Sequence, residues 1–329
     1  MKVVEITEPG PPEVLRLTDR PDPEPGPGEV LVRVRASGLN RADLRQRRGK
    51  YPPPPGFPAE VPGLEIAGEV ARLGQGASLR ELGDRVMALV GGGGYAELVR
   101  VPEEETIRVP AGMPFAEAAG VPEAFITAWD ALVLQGKAAA SEVVLVHAVG
   151  SGVGTAALQI ARHLGLRVLG TTRTAAKLEH ALGLGLDAGV VVVGDVDWAE
   201  EVERLTTGRG VDVVLDLVGA DYLVGNLRVL ASRGRWLVVG VPSGSVGTID
   251  LRALMTKRGT LIGTVLRTRT GAEKAFLARE FERTIVPLFE QGVLRPVLDR
   301  SFAARDAGEA HRYLEENRSF GTVVLSWEK

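Results

Sequence analysis

The 329-residue sequence predicts an α/β fold in two parts, a β-barrel-like domain and a doubly wound parallel sheet. Three observations lead there. Residues 1–120 carry short alternating strands punctuated by proline and glycine. From residue 143, apolar valine-rich strands alternate with helical segments, as in a parallel sheet covered on both faces. After residue 264 the pattern becomes mixed again, and the length itself suits two cores better than one.

In the first part, Glu29-Val30-Leu31-Val32-Arg33-Val34-Arg35 alternates apolar and charged side chains, the mark of a half-exposed strand. Residues 63–73 and 84–90 read as further strands. Residues 21–28 and the run Tyr51-Pro52-Pro53-Pro54-Pro55-Gly56 read as loops, and residues 91–94, all glycine, as a tight connection. In the second part, strands are expected at 143–147, 167–171, 189–193, 211–216, 235–241 and 260–264. Helices are expected at 155–164, 175–182 and 198–205. The tail is expected to form one long amphipathic helix over 271–291, another over 307–316 and a closing strand over 321–325. It should return to the first domain, giving domains of 1–120 with 265–329, and 121–264.

Composition narrows the function. Hydrophobic residues are 45% and charged residues 25%, with net charge −3. No basic field exists to hold nucleic acid or an anionic membrane surface. Absence of cysteine excludes disulfides, thiolate zinc sites, iron–sulfur clusters and cysteine nucleophiles. His147, His163, His180 and His311 are scattered without ligand spacing. No apolar run approaches the ~20 residues that span a bilayer, and Met1-Lys2-Val3-Val4-Glu5 lacks a signal-peptide core, so a cytoplasmic protein is expected.

Ala148-Val149-Gly150-Ser151-Gly152-Val153-Gly154 follows a strand and opens a helix. Glycines allow a sharp turn and close backbone approach, and a helix start offers free N–H groups and a positive dipole end to a pyrophosphate. The spacing is Gly-x-Gly-x-Gly rather than the usual dinucleotide fingerprint; the bland alternative is a structural turn. At the end of the next strand, NAD sites usually place an acid for the ribose 2′-hydroxyl. This chain has Thr171, Thr172 and Arg173, with Lys177 a helical turn on and no acid before Glu179. Hydroxyls and cations suit a 2′-phosphate, so NADPH is favoured over NADH. Alternatively, Arg173 and Lys177 are solvated helix-start charges.

Ala36-Ser37-Gly38-Leu39-Asn40-Arg41-Ala42-Asp43-Leu44, Pro62-Gly63-Leu64-Glu65-Ile66-Ala67-Gly68 and Val146-His147 through Gly154 resemble the zinc-free quinone oxidoreductases related to zeta-crystallin, a branch of the medium-chain dehydrogenase/reductase superfamily. Tyr51 and its prolines, Pro122-Glu123-Ala124, and Leu266-Arg267 with Arg269 are similar to the stress-induced NADPH quinone oxidoreductases of that branch. The resemblance spans the chain. It implies a GroES-like catalytic domain, a Rossmann domain and an active site in the cleft between them. Ligands of the zinc-dependent members would fall near Asn40, Leu64 and Glu123, so no metal is expected. A cytoplasmic homodimer is implied, with the sheet edge over 248–264 as the contact.

The resemblance also places Asn40 and Tyr51 near the nicotinamide, Tyr51 as the best candidate to meet the acceptor. Tyr51 could equally be a loop aromatic packed on prolines, and Asn40 could cap the helix that begins at Arg41. Asp43 reads as structural. Thr127 is expected at the nicotinamide end. Doubly wound folds bind ligands at the C-terminal ends of strands. Val218 and Gly219 should touch the ribose, and Val239, Gly240 and Val265 the nicotinamide. Arg267 should pair with a phosphate or the substrate unless it is a surface arginine, and Asn317 is a further carry-over. The tyrosine often found after the third strand of the nucleotide domain is missing, since residues 189–194 offer only valine and glycine. Three activities remain open: NADPH-dependent quinone reduction, C=C reduction of an enal, enone or enoyl thioester, and a structural or regulatory NADPH-binding role.

Overall fold

A computed structural model describes residues 1–194 and 196–328. The chain divides into two compact units, Met1–Ile126 with Leu266–Lys329, and Thr127–Val265. The first division falls at 126/127 rather than at the expected 120/121. It lies inside a helical run through Pro122–Ile126, Thr127–Trp129 and Asp130–Gln135. A unit boundary within a helix has no proline or glycine linker to announce it.

Unit 1 begins with β1 (Lys2–Ile6) paired antiparallel to β2 (Leu15–Asp19). Its main sheet is built on β3 (Glu29–Leu39), which is followed by α1 (Arg41–Arg47), β4 (Glu65–Leu73), β5 (Arg85–Leu89), β6 (Leu98–Pro102) and β7 (Thr106–Arg108). One side of β3 pairs with β4, with register shifts between Leu31 and Val32 and between Val34 and Ala36. Such bulges bend a strand and strengthen its twist. The other side pairs with β6 over its first residues and with the chain's last strand over Ala36 to Leu39. Val30, Val32, Val34, Ile66, Val86 and Val323 make the core beneath it.

Unit 2 carries β8 (Val143–Val146), α2 (Gly152–His163), β9 (Arg167–Thr172), α3 (Ala175–Gly183), β10 (Ala188–Val191), α4 (Trp198–Leu205), β11 (Val211–Asp216), α5 (Leu223–Val229), β12 (Leu230–Val238), α6 (Leu251–Lys257) and β13 (Thr260–Gly263). All its strand pairs are parallel, in the order β10-β9-β8-β11-β12-β13. The order reverses between β8 and β11, where a doubly wound sheet opens its ligand crevice. All four residues of β8 are buried, which is why its sequence is continuous valine and leucine rather than alternating.

The tail joins unit 1 through α7 (Gly271–Thr284), α8 (Val286–Glu290), β14 (Leu298–Ala303), α9 (Ala307–Glu315) and β15 (Thr322–Ser326). The single helix expected over 271–291 is broken at Ile285. Pro287 lacks the N–H that would continue the ladder, and its ring opposes the carbonyl of the preceding turn. At the other end Thr270 and Glu273 form a reciprocal cap on α7.

Candidate functional site

In unit 2, the glycine turn is fixed to the sheet beyond the end of β8. His147 N–H donates to Leu215 O at 3.1 Å and Val149 N–H to Thr171 O at 3.0 Å. Ala148 turns the chain with φ 48°. Ser151 Oγ then accepts Gly154 N–H at 3.1 Å and caps α2. A Cβ on Gly154 would lie 2.4 Å from Ala148 O, so only glycine lets the turn fold under the helix start. Gly150, Ser151, Gly152, Val153 and Gly154 therefore present backbone at the positive end of a 12-residue helix.

At the end of β9, Thr171 and Thr172 are buried and Arg173 is exposed. Thr174 Oγ1 accepts Lys177 N–H at the start of α3, so Arg173 and Lys177 flank a second helix N-terminus. A tyrosine does reach this corner, from an element the sequence did not single out. Tyr222 lies beside Thr171 and within the field of Arg173; burial raises its pKa.

The loop after β11 is organised by Asp216, a residue that sequence reasoning passed over. Its Oδ1 accepts the N–H groups of Val218 at 2.8 Å and Gly219 at 2.9 Å. Its Oδ2 accepts Asn226 Nδ2 and Trp236 Nε1, both at 3.0 Å. The amides of Val218 and Gly219 are thus turned toward the protein, and Gly219 has φ 97°. The available signal is an acid ending a mostly apolar, mostly buried strand. Val239 and Gly240 continue β12 beyond its end, both donating to Asp216 O, and Val265 stands 48% exposed just past β13. Thr127 is buried, with an Oγ1 that has no hydrogen-bond partner among the described residues. These positions all lie in unit 2, most of them at the C-terminal ends of its strands.

In unit 1, β3 delivers Asn40 to the start of α1, where Asp43 accepts Asn40 N–H at 2.7 Å and Gly63 N–H at 3.0 Å. The Asn40 side chain also reaches across to β4: its Nδ2 donates to Glu65 Oε1 at 2.8 Å. Glu65 Oε2 accepts Glu123 N–H at 2.7 Å. Gly38 makes room for this carboxyl, since a Cβ there would fall 2.1 Å from Glu65 Oε1. Burial is the main force on all three acids. It pushes Asp43 up to about 6, Glu65 to about 8 and Glu123 to about 7, with Asp43 adding to the rise at the other two and Arg267 opposing it at Glu123. Glu65 is prominent here, whereas the sequence shows it only as one member of the run from Pro62 to Gly68.

Arg267 is neither a surface arginine nor a free arm for a phosphate. It is 6% exposed. Nε donates to Gly91 O at 2.8 Å, and the terminal nitrogens donate to Tyr51 O at 3.2 Å and Gln46 Oε1 at 2.7 Å. Its guanidinium carbon sits 4.5 Å from the centre of the Tyr51 ring. The expected ligand contact is thereby replaced by a brace on the Tyr51 loop. Tyr51 itself is half-buried, and burial raises its pKa against the opposing charge of Arg267. Asn317, with φ 57°, pairs through its side chain with Glu315 O and with Arg41, the residue that follows Asn40.

Among the described residues no three His, Asp or Glu side chains gather into a group that could hold a metal ion, and the chain has no cysteine. Asn40 and the Glu123 N–H already occupy both oxygens of Glu65.

Residues 26–111 match the family model described as alcohol dehydrogenase GroES-like domain, and residues 152–282 that described as zinc-binding dehydrogenase. Quinone oxidoreductase of Rattus norvegicus is 33% identical over 99% of this chain and 97% of its own length. Quinone oxidoreductase of Pseudomonas aeruginosa is 34% identical over 98% and 99%. Among solved structures, an NAD-dependent alcohol dehydrogenase has TM-score 0.89 and 35% identity, covering both chains fully. The mycobacterial protein Rv1454c complexed with NADPH has TM-score 0.88 and 33% identity over 99% and 100%. CurK enoyl reductase has TM-score 0.87 and 27% identity over 99% and 98%. Among the described residues no helix is long and apolar enough to cross a membrane.

Proposed function

This chain belongs to the medium-chain dehydrogenase/reductase family, and from that premise we propose that it is a zinc-independent oxidoreductase that passes hydride from NADPH to quinone-type acceptors. The observation that carries the reading is the corner where the strand order reverses. A glycine turn too tight for any side chain at Gly154 stands beside a β9 end that offers Thr171, Thr172 and Arg173 where an NAD site would hold an acid. The orphaned Thr127 hydroxyl and the half-exposed Val265 complete a nicotinamide end.

NADPH, when bound, supplies the hydride. The chain's own residues position and shelter. The start of α2 takes the pyrophosphate. Arg173 and Lys177 take the 2′-phosphate. In unit 1, Tyr51, held by Arg267, and Asn40, held by Glu65, meet the acceptor. A quinone ring is electron-poor, and its reduced oxygens can be protonated by water, so no Lewis acid is needed and positioning dominates.

C=C reduction is the second reading, favoured by a specific observation: a phenol with a raised pKa lies in the field of Glu123, an acid that ionises at about 7. That reaction needs a proton delivered to carbon, which Tyr51 could give. A homodimer is part of the proposal. β13 is the open edge of the sheet, and Leu261, Val246, Leu251 and Met255 are exposed on and near it. An unpaired apolar edge calls for a partner strand.

The test is cofactor oxidation with NADPH and NADH in parallel, against 1,2- and 1,4-quinones and an enal. NADPH-preferring quinone turnover supports the reading. Turnover of the enal alone moves the chain to C=C reduction, and binding without turnover of any acceptor overturns both.

A further inference from the structure

Just past β8, between the ends of β9 and β11, lies a buried histidine that hydride transfer does not use. His147 is fully buried. Its Nε2 is 2.6 Å from Asn226 Oδ1 and its Nδ1 is 2.9 Å from Thr171 Oγ1. The direction of every bond follows from one end. Asp216 already receives two N–H groups and an indole N–H, so toward Asn226 it can only accept. Asn226 must therefore turn its Nδ2 to Asp216 and its Oδ1 to the histidine. His147 then carries its proton on Nε2, and burial, which lowers its pKa to about 4, keeps the ring neutral. Nδ1 is left as an acceptor and takes the Thr171 O–H. Tyr222 lies beside Thr171, and burial raises its pKa. Tyr222 and Trp198 wall the imidazole with edge-on contacts of 4.7 and 4.8 Å between ring centres.

The chain of bonds thus runs from the amides of Val218 and Gly219, through Asp216, Asn226 and His147, to Thr171 at the end of β9, next to Arg173. It crosses the C-terminal edge of β11, β8 and β9 at the reversal of strand order. We propose that His147 is a positioning residue that locks the two flanks of the dinucleotide crevice, the adenosine-phosphate corner and the loop after β11, into one preorganised surface for the cofactor. This rests on the dinucleotide reading above. A merely packed histidine would need neither a fixed tautomer nor partners on both flanks. Here each flank is set by the same ring, so cofactor binding need not order them separately.

The experiment is titration of NADPH, followed by nucleotide fluorescence, with the wild-type chain, His147→Phe, His147→Gln, Thr171→Val and the His147→Phe/Thr171→Val double variant. Thermal melts run alongside. Phenylalanine keeps the packing on Trp198 and Tyr222 but makes no hydrogen bond; glutamine offers one donor and one acceptor. The expected result is a rise in Kd of about tenfold for His147→Phe and for Thr171→Val, a double variant no worse than His147→Phe alone, and partial recovery in His147→Gln. With cofactor saturating, KM for the acceptor stays unchanged in His147→Phe and His147→Gln. A folded His147→Phe that binds NADPH within about twofold of wild type, or losses that simply add in the double variant, overturns the inference. If His147→Phe does not fold, an unchanged Kd in Thr171→Val overturns it equally. A wild-type chain that binds neither NADPH nor NADH overturns the dinucleotide reading itself, and the inference with it.

Discussion

Asp216 in unit 2 and Glu65 in unit 1 are both buried acids, at 0% and 1% exposure, yet they are built for different work. Asp216 meets four N–H donors, from Val218, Gly219, Asn226 and Trp236. Glu65 meets two, from Asn40 and Glu123, with Asp43 and Glu123 adding like charge. A carboxyl group that accepts four N–H groups is a fixed centre around which a loop can be folded. A carboxyl with fewer donors and acidic neighbours gives up its charge instead, and Glu65 is pushed up to about 8. Unit 2 therefore shapes backbone for a cofactor, and unit 1 keeps protonatable groups behind the residues proposed to meet the acceptor.

The sharpest way to break this contrast is to remove each acid. Asp216→Ala should cost about 3–5 kcal/mol in denaturant unfolding, because four buried donors lose their acceptor. Glu65→Ala leaves two donors and should cost clearly less; equal losses would erase the distinction. Next in size, Gly154→Val should lower NADPH affinity by more than about a hundredfold in equilibrium titration, since the added side chain strikes Ala148 O. Tyr51→Phe should separate the two chemistries: enal reduction falls about a hundredfold and quinone reduction less than about tenfold, read as kcat at saturating NADPH.

The smallest effect concerns pH. The folded-state pKa of Glu65, about 8, lies above the ordinary 4.5, so folding retains a proton. The associated stability is fully present below pH 4.5 and fades as pH rises through about 8. Glu65→Gln removes this dependence. Its melting temperature should fall less than that of the wild type between about pH 5 and pH 9. Parallel melting curves for the two proteins would show that Glu65 ionises freely in the fold.

What the sequence reveals follows the same division. The parallel sheet and its glycine turn are local: valine runs, a cap at Ser151 and three spaced glycines lie within a few residues of one another. The unit 1 cluster is not local. Asn40, Glu65, Glu123 and Arg267 come from four separated segments, and two of the acceptors that hold Arg267 are backbone carbonyls, of Gly91 and Tyr51, which no side-chain pattern reports. Tyr222 went unnoticed for the same reason: it reaches the Thr171 corner from beyond β11, whereas reasoning by resemblance looked after β10. The break at Ile285 was visible as Pro287 but was outweighed by the amphipathic periodicity on either side.

The proposed function turns on hydride transfer that needs no metal. The direct measurement is quinone-dependent NADPH oxidation by protein dialysed against a strong chelator, with its zinc content determined on the same sample. The expected result is an unchanged rate at no stoichiometric zinc. Loss of turnover on dialysis, restored by added zinc, would contradict it.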